Sequence, residues 1–440
     1  MGILIKDANV VVPVYKDGAY EKSEVVNTSI GILGKNIYFI GNDIPADFTV
    51  DEEINGKGKL VIPGLINAHT HSYMTLFRNC ADDLTFMDWL FGRIDPLEGK
   101  LVPEDAYWGA KLAMIEMIKS GTTCFCDMQM HIHQTTKAVA ESGMRAVVGR
   151  GLVGAIENGG VNEAGSSRIA EAYEEMEDGV LTDRLGFMLA PHAPYTCDFG
   201  FLKYVADEAK NKELGITIHL SESVSECENM AKDQNMTPIE YAHKAGCFDV
   251  PCVAAHCVQV TDSDIGLLAK NGVNVVSNPA SNMKLGNGFA PIKKMMDAGI
   301  NIALGTDGAA SNNSLNLFHE LSLMTLIHKG VNKTPQCVSA QEGFAMATIN
   351  GAKALGLGGI TGSIEVGKRA DLAILDMRTP SLTPANDLIA ALSYSVNGSE
   401  VETVIIDGVI TMKDRKILTF NEDEVYDKVA AIAERIGVMD

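Results

Sequence analysis

Between residue 60 and about residue 350 two apolar patterns alternate along the chain. Short runs in which nearly every position is apolar fall at 60–67, 121–127, 145–150, 185–190, 216–219, 252–256, 272–276 and 300–304. Longer stretches between them, at 103–120, 134–142, 168–177, 199–214, 237–245, 263–270 and 290–298, carry apolar residues three and four positions apart. A continuous apolar run suits a strand buried on both faces, and the wider spacing suits a helix with one apolar stripe. Endings such as Lys119-Ser120-Gly121 resemble helix C-caps. Eight strand–helix units in succession predict an α/β fold, a closed (β/α)8 TIM barrel, in which functional residues sit at the C-terminal ends of the strands.

The pattern changes at both ends. Residues 3–12, 29–33 and 36–40 form short runs with turn signals at Gly34-Lys35 and Gly41-Asn42, and residues 367–375 and 403–411 form two more, the second around Asp407-Gly408. Together they predict one small β-sandwich assembled from both termini, followed by a helix at 422–436. The expected division is residues 1–58 for the first part of the sandwich, 59–362 for the catalytic barrel, and 363–440 for the rest of the sandwich with the terminal helix. The Gly-rich stretch 158–167 predicts a mobile loop.

Composition narrows the possible partners. With 46% hydrophobic residues over 440 positions the chain buries a large core, and a formal charge of -21 argues against a nucleic-acid or anionic membrane surface. A small-molecule substrate fits that charge better. No apolar run is long enough to span a bilayer, and Lys6 and Asp7 interrupt any leader-like segment, so a cytoplasmic protein is expected. Nine cysteines without paired spacing read as reduced thiols, with Cys124 and Cys126 as core side chains. Homo-oligomerisation is expected from the frequency of symmetric oligomers alone.

Candidate chemistry gathers at the strand ends. His69-Thr70-His71 closes the first run, where a period of two points both imidazoles the same way. His219 ends the fifth run, His256 the sixth, and Asp307 follows the eighth. His69, His71, His219 and Asp307 suit one divalent ion such as zinc with a water in the remaining position, and His256 suits a hydrogen-bonding place beside it. Glu222, three residues after His219, is placed to shuttle protons without ligating. His131-Ile-His133 is a second His-x-His, but it enters a helix and lacks a following carboxylate, so it is not read as a metal site. His243, His319 and His328 lie in helical patterns and read as structural.

These motifs, with Thr306-Asp307-Gly308 and the flanking β-domain, resemble the amidohydrolase superfamily in its mononuclear deaminase branch, over nearly the whole chain. The stretches Pro63-Gly-Leu-Ile-Asn-Ala-His-Thr-His71, Pro96-Leu-Glu98, Pro191-His-Ala-Pro-Tyr-Thr196, His219-Leu-Ser-Glu222 and Ser277-Asn-Pro-Ala-Ser-Asn-Met-Lys-Leu285 are most similar to its 5-methylthioadenosine/S-adenosylhomocysteine deaminases. The resemblance implies metal-dependent hydrolytic deamination, at C6, of an adenosine-type nucleoside: 5-methylthioadenosine, S-adenosylhomocysteine, 5′-deoxyadenosine or adenosine. It implies one ion, zinc or iron, because the fourth run lacks the lysine that bridges two metals in related barrels. Glu222 would protonate the ring, Asp307 would accept the proton of water, and His256 would hold the attacking oxygen.

For the substrate it implies Glu98 at the ribose hydroxyls, His192 near the ribose, Arg150 toward the 5′ substituent and Trp89 over the nucleoside. A second arginine, frequent in relatives that accept S-adenosylhomocysteine, is missing from 159–165 and comes only at Arg168, which favours smaller 5′ groups. The His-x-Glu and Pro-Cys-x-x-Cys pattern of deaminases acting on polynucleotides is absent, favouring free nucleosides. Rival readings are a triazine chlorohydrolase, or a guanine or cytosine aminohydrolase, for which Glu98, His192 and Arg150 have no ribose to serve. A barrel that has lost catalysis and serves as a scaffold is disfavoured, because every expected ligand is present.

Overall fold

The apolar runs form a single parallel sheet of eight strands. The computed structural model describes residues 1–179 and 182–438. The strands are β1 (Leu65–Thr70), β2 (Thr122–Gln129), β3 (Arg145–Leu152), β4 (Leu185–Pro191), β5 (Gly215–Leu220), β6 (Cys252–His256), β7 (Asn274–Ser277) and β8 (Ile302–Leu304). They pair in chain order. The sheet curls shut where the N–H groups of Thr306 and Asp307, just past β8, donate to the His69 carbonyl on β1 (3.2 and 3.0 Å). Helices Pro103–Lys119, Ile132–Ser142, Phe199–Asn211 and Asp262–Lys270 occupy the stretches of helical spacing. Side-chain caps set several starts: Asp198 accepts from Phe201 N–H (2.7 Å) and Thr261 from Asp264 N–H (3.1 Å).

The first apolar run is two strands rather than one. Lys59–Pro63 belongs to a second sheet, between Gly2–Lys16 and Leu372–Asp376, and the barrel begins only after Gly64. A side chain at Gly64 would place its Cβ 2.1 Å from Thr123 Oγ1 on β2, so only glycine lets the chain cross from sheet to barrel there. Gly64→Ala is expected to cost about 1–3 kcal/mol through overpacking, read as a lower urea midpoint at unchanged slope.

The second sheet has nine strands drawn from both ends of the chain. The ends meet where Lys59–Pro63 runs antiparallel to Leu372–Asp376, Val61 opposite Ile374. Alternation divides the two faces. Val10, Val61, Leu372, Ile374 and Ile405 build the sheet's own apolar core, while Val11, Leu60, Ile62, Ala373 and Val404 join the core of the barrel. Its largest hairpin, Gly2–Lys16 with Ala19–Leu33, extends well past the expected end at residue 12. It turns at Asp17 and Gly18, both at positive φ (52° and 81°), as a tight turn that matches strand twist requires.

Arg145, the first residue of β3, ties the two sheets together. It is 2% exposed and donates from Nε to Asp371 Oδ2 (2.8 Å) and from Nη2 to Asp407 Oδ1 (3.1 Å). Arg145→Ala leaves the buried Asp371 without its cation, while Asp407 keeps Lys35 (3.4 Å) and Arg369 (3.5 Å), and is expected to cost about 3–5 kcal/mol, measurable by equilibrium urea unfolding.

The stretch read as a Gly-rich loop contains regular structure. Ile156–Glu157 pairs with Gly160–Val161, and a helix, Glu163–Asp178, starts at once, capped by Asn162 Oδ1 accepting from Gly165 N–H (3.0 Å). Arg168 is therefore carried on a helix. Among the described residues no helix is long and apolar enough to cross a membrane.

Candidate active site

Five buried groups converge at the C-terminal mouth of the barrel. His69, His219, His256 and Asp307 each offer a ligand atom within 4.8 Å of all the others. His71 Nε2 stands 3.2 Å from His219 Nε2 and 3.3 Å from Asp307 Oδ1. Two of these residues, His256 (φ 72°) and Asp307 (φ 60°), adopt left-handed backbone, as does Ser221 (φ 51°). Each such position costs on the order of 1 kcal/mol, and here the strain turns side chains inward where the strands stop.

The imidazoles are oriented from behind. His71 Nδ1–H donates to the Met128 carbonyl (2.9 Å) and His219 Nδ1–H to the His192 carbonyl (2.8 Å). Since carbonyls only accept, each of these rings carries a proton on Nδ1, and in its neutral form presents an Nε2 lone pair to the cluster. His219 Nε2 also lies 3.2 Å from His69 Nε2, and Asp307 Oδ1 adds further negative charge. Lone pairs facing one another this closely in a buried site fit a cation among them, and the three-imidazole, one-carboxylate set is a donor set for a divalent metal. Burial drives His69 down to about 4 and His219 well below the usual imidazole value, so both are neutral. Burial also opposes charge on His71, but Asp307 and the Met128 carbonyl outweigh it and lift His71 to about 9. The field that would hold a proton there would hold a cation.

Residues without an obvious signature complete the surroundings. Asp307 Oδ2 accepts from the hydroxyls of Ser281 (2.7 Å) and Ser311 (2.5 Å), leaving Oδ1 toward the histidines. Burial favours a neutral Asp307, but His69 and His71 overcome it and keep the carboxyl well below its usual range. His256 Nδ1–H donates to Asn282 Oδ1 (2.9 Å), and its Nε2 lies 3.7 Å from Glu222 Oε2. Burial, then repulsion from Asp307, pushes Glu222 well above the ordinary carboxyl value, and Asn287 Nδ2 donates to its Oε1 (3.0 Å). Ser281, Asn282 and Asn287 all lie in or just after the stretch 277–285 singled out by resemblance.

A cavity of about 290 Å³ opens from this cluster and is lined by Trp89, Glu98, Arg150, Arg168 and His192 together with His71, His219, Glu222, His256 and Asp307. Every expected site residue but His69 lines this chamber, and His69 belongs to the donor cluster beside it. Glu98 accepts a hydrogen bond from the Tyr73 hydroxyl, and burial raises its pKa. His192, pushed by burial to about 3, is neutral and meets Thr196 Oγ1 at 2.9 Å. Trp89 is buried, its indole N–H donating to the Ala310 carbonyl (3.2 Å). Arg150 pairs with Glu171 (2.6 Å). Arg168 was not expected in the pocket, and among the described residues it has no carboxylate partner. His131 and His133 do not reach the cluster; His133, well exposed, pairs with Glu175 at 2.8 Å.

A barrel with a metal donor cluster at its strand ends and a buried carboxyl of raised pKa beside it defines a metal-dependent barrel hydrolase. Residues 60–411 match the amidohydrolase family, and the chain belongs to that family. It is 45% identical over 438 residues to a 5-methylthioadenosine/S-adenosylhomocysteine deaminase of Acetivibrio thermocellus, covering 99% of this chain and 100% of that one. Among solved structures it superposes on an adenosine deaminase from Xanthomonas campestris with bound zinc, at a TM-score of 0.90 and 29% identity, over 99% and 98% of the two chains. An atrazine chlorohydrolase of Arthrobacter aurescens shares the fold at a TM-score of 0.88 with 23% identity, over 98% of this chain and all of that one.

Proposed function

We propose that the protein hydrolytically deaminates an adenosine-type nucleoside at C6, with 5-methylthioadenosine and S-adenosylhomocysteine as its principal substrates. The observation that carries this reading is the buried carboxyl of Glu222, 3.7 Å from His256 Nε2 and beside the metal donors, in the chamber that also holds Glu98, His192 and two arginines. The curated relatives named as deaminases of these substrates support it.

One divalent ion, zinc or iron, would be held by His69, His71, His219 and Asp307, and when bound it supplies a water acidified toward neutrality. His256, kept neutral and tied through Nδ1–H to Asn282, offers Nε2 as an acceptor that orients the attacking water. Asp307 Oδ1, free of the serine hydroxyls, takes the proton from that water. Glu222 gives its own proton to the ring nitrogen next to C6, which removes the aromatic penalty as oxygen adds. The proton held by Asp307 passes to the amino group, the C6–N bond breaks and ammonia leaves, and the proton remaining on the added oxygen returns to Glu222 as the inosine-type carbonyl forms. At the other end of the chamber Glu98 accepts from ribose hydroxyls, His192 lies along the sugar, and Trp89 covers the nucleoside.

Arg168 changes the reading of the 5′ end. Arg150 is already neutralised by Glu171, whereas Arg168 brings charge to the same wall without a carboxylate of its own, so a substrate carboxylate fits there and the preference for small 5′ groups is withdrawn. Arg168→Ala is expected to lower kcat/KM for S-adenosylhomocysteine about 10- to 100-fold, the worth of a lost charge-assisted hydrogen bond, and to leave 5-methylthioadenosine nearly unchanged. Equal losses on both substrates would remove Arg168 from this role. The reading as a whole is tested by equimolar ammonia and inosine-type product from either substrate.

A further inference from the structure

Glu226 is a buried carboxyl, 4% exposed, that the reaction above does not use. Ser223-Val-Ser-Glu226 has the form of a capping box opening the helix Val224–Gln234, in which the serine accepts from the glutamate N–H and the glutamate carboxyl returns to the serine N–H. Only the first half is made, Ser223 Oγ accepting from Glu226 N–H at 3.1 Å. The Glu226 carboxyl instead reaches past the cap. Its Oε2 accepts from Glu222 N–H (2.7 Å) and its Oε1 from Ser221 N–H (3.2 Å).

Those two amides belong to the turn that brings Glu222 to the donor cluster. Ser221 sits at φ 51°, a conformation disfavoured for a residue with a side chain, and its carbonyl accepts from Gln259 N–H (2.8 Å) beyond β6. The helix thus forgoes its usual cap contact while a strained turn under the proton donor is gripped from two sides. We infer that Glu226 is a positioning residue, whose carboxylate clamps the Ser221–Glu222 backbone so that the Glu222 carboxyl meets the reacting ring. The inference rests on the role assigned to Glu222, since Glu226 acts only through it. A misplacement of about 1 Å at such a group can cost on the order of 10²-fold in rate.

The test is a double-mutant cycle on the metal-loaded enzyme with 5-methylthioadenosine, using Glu226→Gln, Glu222→Gln and the pair. Glu226→Gln, which turns one acceptor into a donor facing an N–H, is expected to lower kcat about 10- to 100-fold, with KM little changed and metal content retained. In the Glu222→Gln background the same change should cost less than about twofold, because there is no longer a proton donor to position. An equal factor in both backgrounds, or wild-type kcat for Glu226→Gln, overturns the inference. If Glu226→Gln does not fold, Glu226→Asp, which keeps the charge but withdraws it by one methylene, is read in the same cycle against the same two outcomes. Near wild-type kcat for Glu222→Gln alone would instead overturn the functional reading beneath it.

Discussion

Replacing Glu222 by glutamine is expected to lower kcat by about 10²-fold or more, the typical worth of a general acid, while metal content and KM stay near those of the wild type. Glutamine keeps the shape of the side chain and can still meet Asn287 and the neighbourhood of His256. What it lacks is a transferable proton. Burial and the nearby Asp307 push the Glu222 carboxyl well above its ordinary value, which favours the protonated form a ring-protonating acid needs, and no other carboxyl in the cavity stands as close to His256. A loss confined to kcat identifies an interaction made in the transition state, whereas a rise in KM with kcat intact would mark mere substrate binding. Glu222→Gln at near wild-type rate would remove the residue from proton transfer.

The second large effect concerns the metal. His69 is 1% exposed and faces both His219 Nε2 (3.2 Å) and Asp307 Oδ1 (3.5 Å), so His69→Ala removes a donor from the middle of the set rather than from its rim. The variant is expected to purify with background metal and to lose activity on every substrate together. Because a ligand that binds only the folded state stabilises it, by about 4 kcal/mol at a thousand times its Kd, stripping metal from the wild type should lower its Tm while the same chelator leaves that of His69→Ala unmoved. Atomic emission on both proteins and a melting curve with and without chelator check this. Full metal occupancy in His69→Ala would exclude His69 as a ligand.

The barrel was legible because its strands are buried on both faces, which writes them as unbroken apolar runs, and because the metal donors fall at the ends of three of those runs and His256 at the end of a fourth. Boundaries were less legible. The run over 60–67 hides a change of sheet at Gly64, since strands of both sheets there are equally apolar and only a steric contact with Thr123 separates them. Of the second strand of the terminal hairpin only 29–33 was read, because much of Ala19–Asn27 faces solvent and shows no apolar alternation, although Asp17-Gly18 is itself a turn signal. At 158–167 the glycines suggested a loop, and Asn162 as a helix cap was the signal that could have placed Arg168 on an ordered element. Ser281, Ser311, Asn287 and Glu226 have roles that are not written in the local sequence, although Ser281 lies in the stretch 277–285 and Glu226 has the spacing of a capping box. They act by hydrogen bonding to Asp307 and Glu222, and the partners of a hydrogen bond between distant segments are fixed by folding rather than by local pattern.

The most direct test of the account is ammonia release, followed together with the change in purine absorbance, from 5-methylthioadenosine, S-adenosylhomocysteine, 5′-deoxyadenosine, adenosine, guanine and a chlorotriazine with the same metal-loaded enzyme. Turnover confined to the adenosine compounds, highest for those with a sulfur-bearing 5′ group, is the predicted result. Turnover of guanine or the triazine with silence on every adenosine compound would contradict it, leaving the metal cluster in place and removing Glu98, His192, Arg150 and Arg168 from the recognition of a nucleoside.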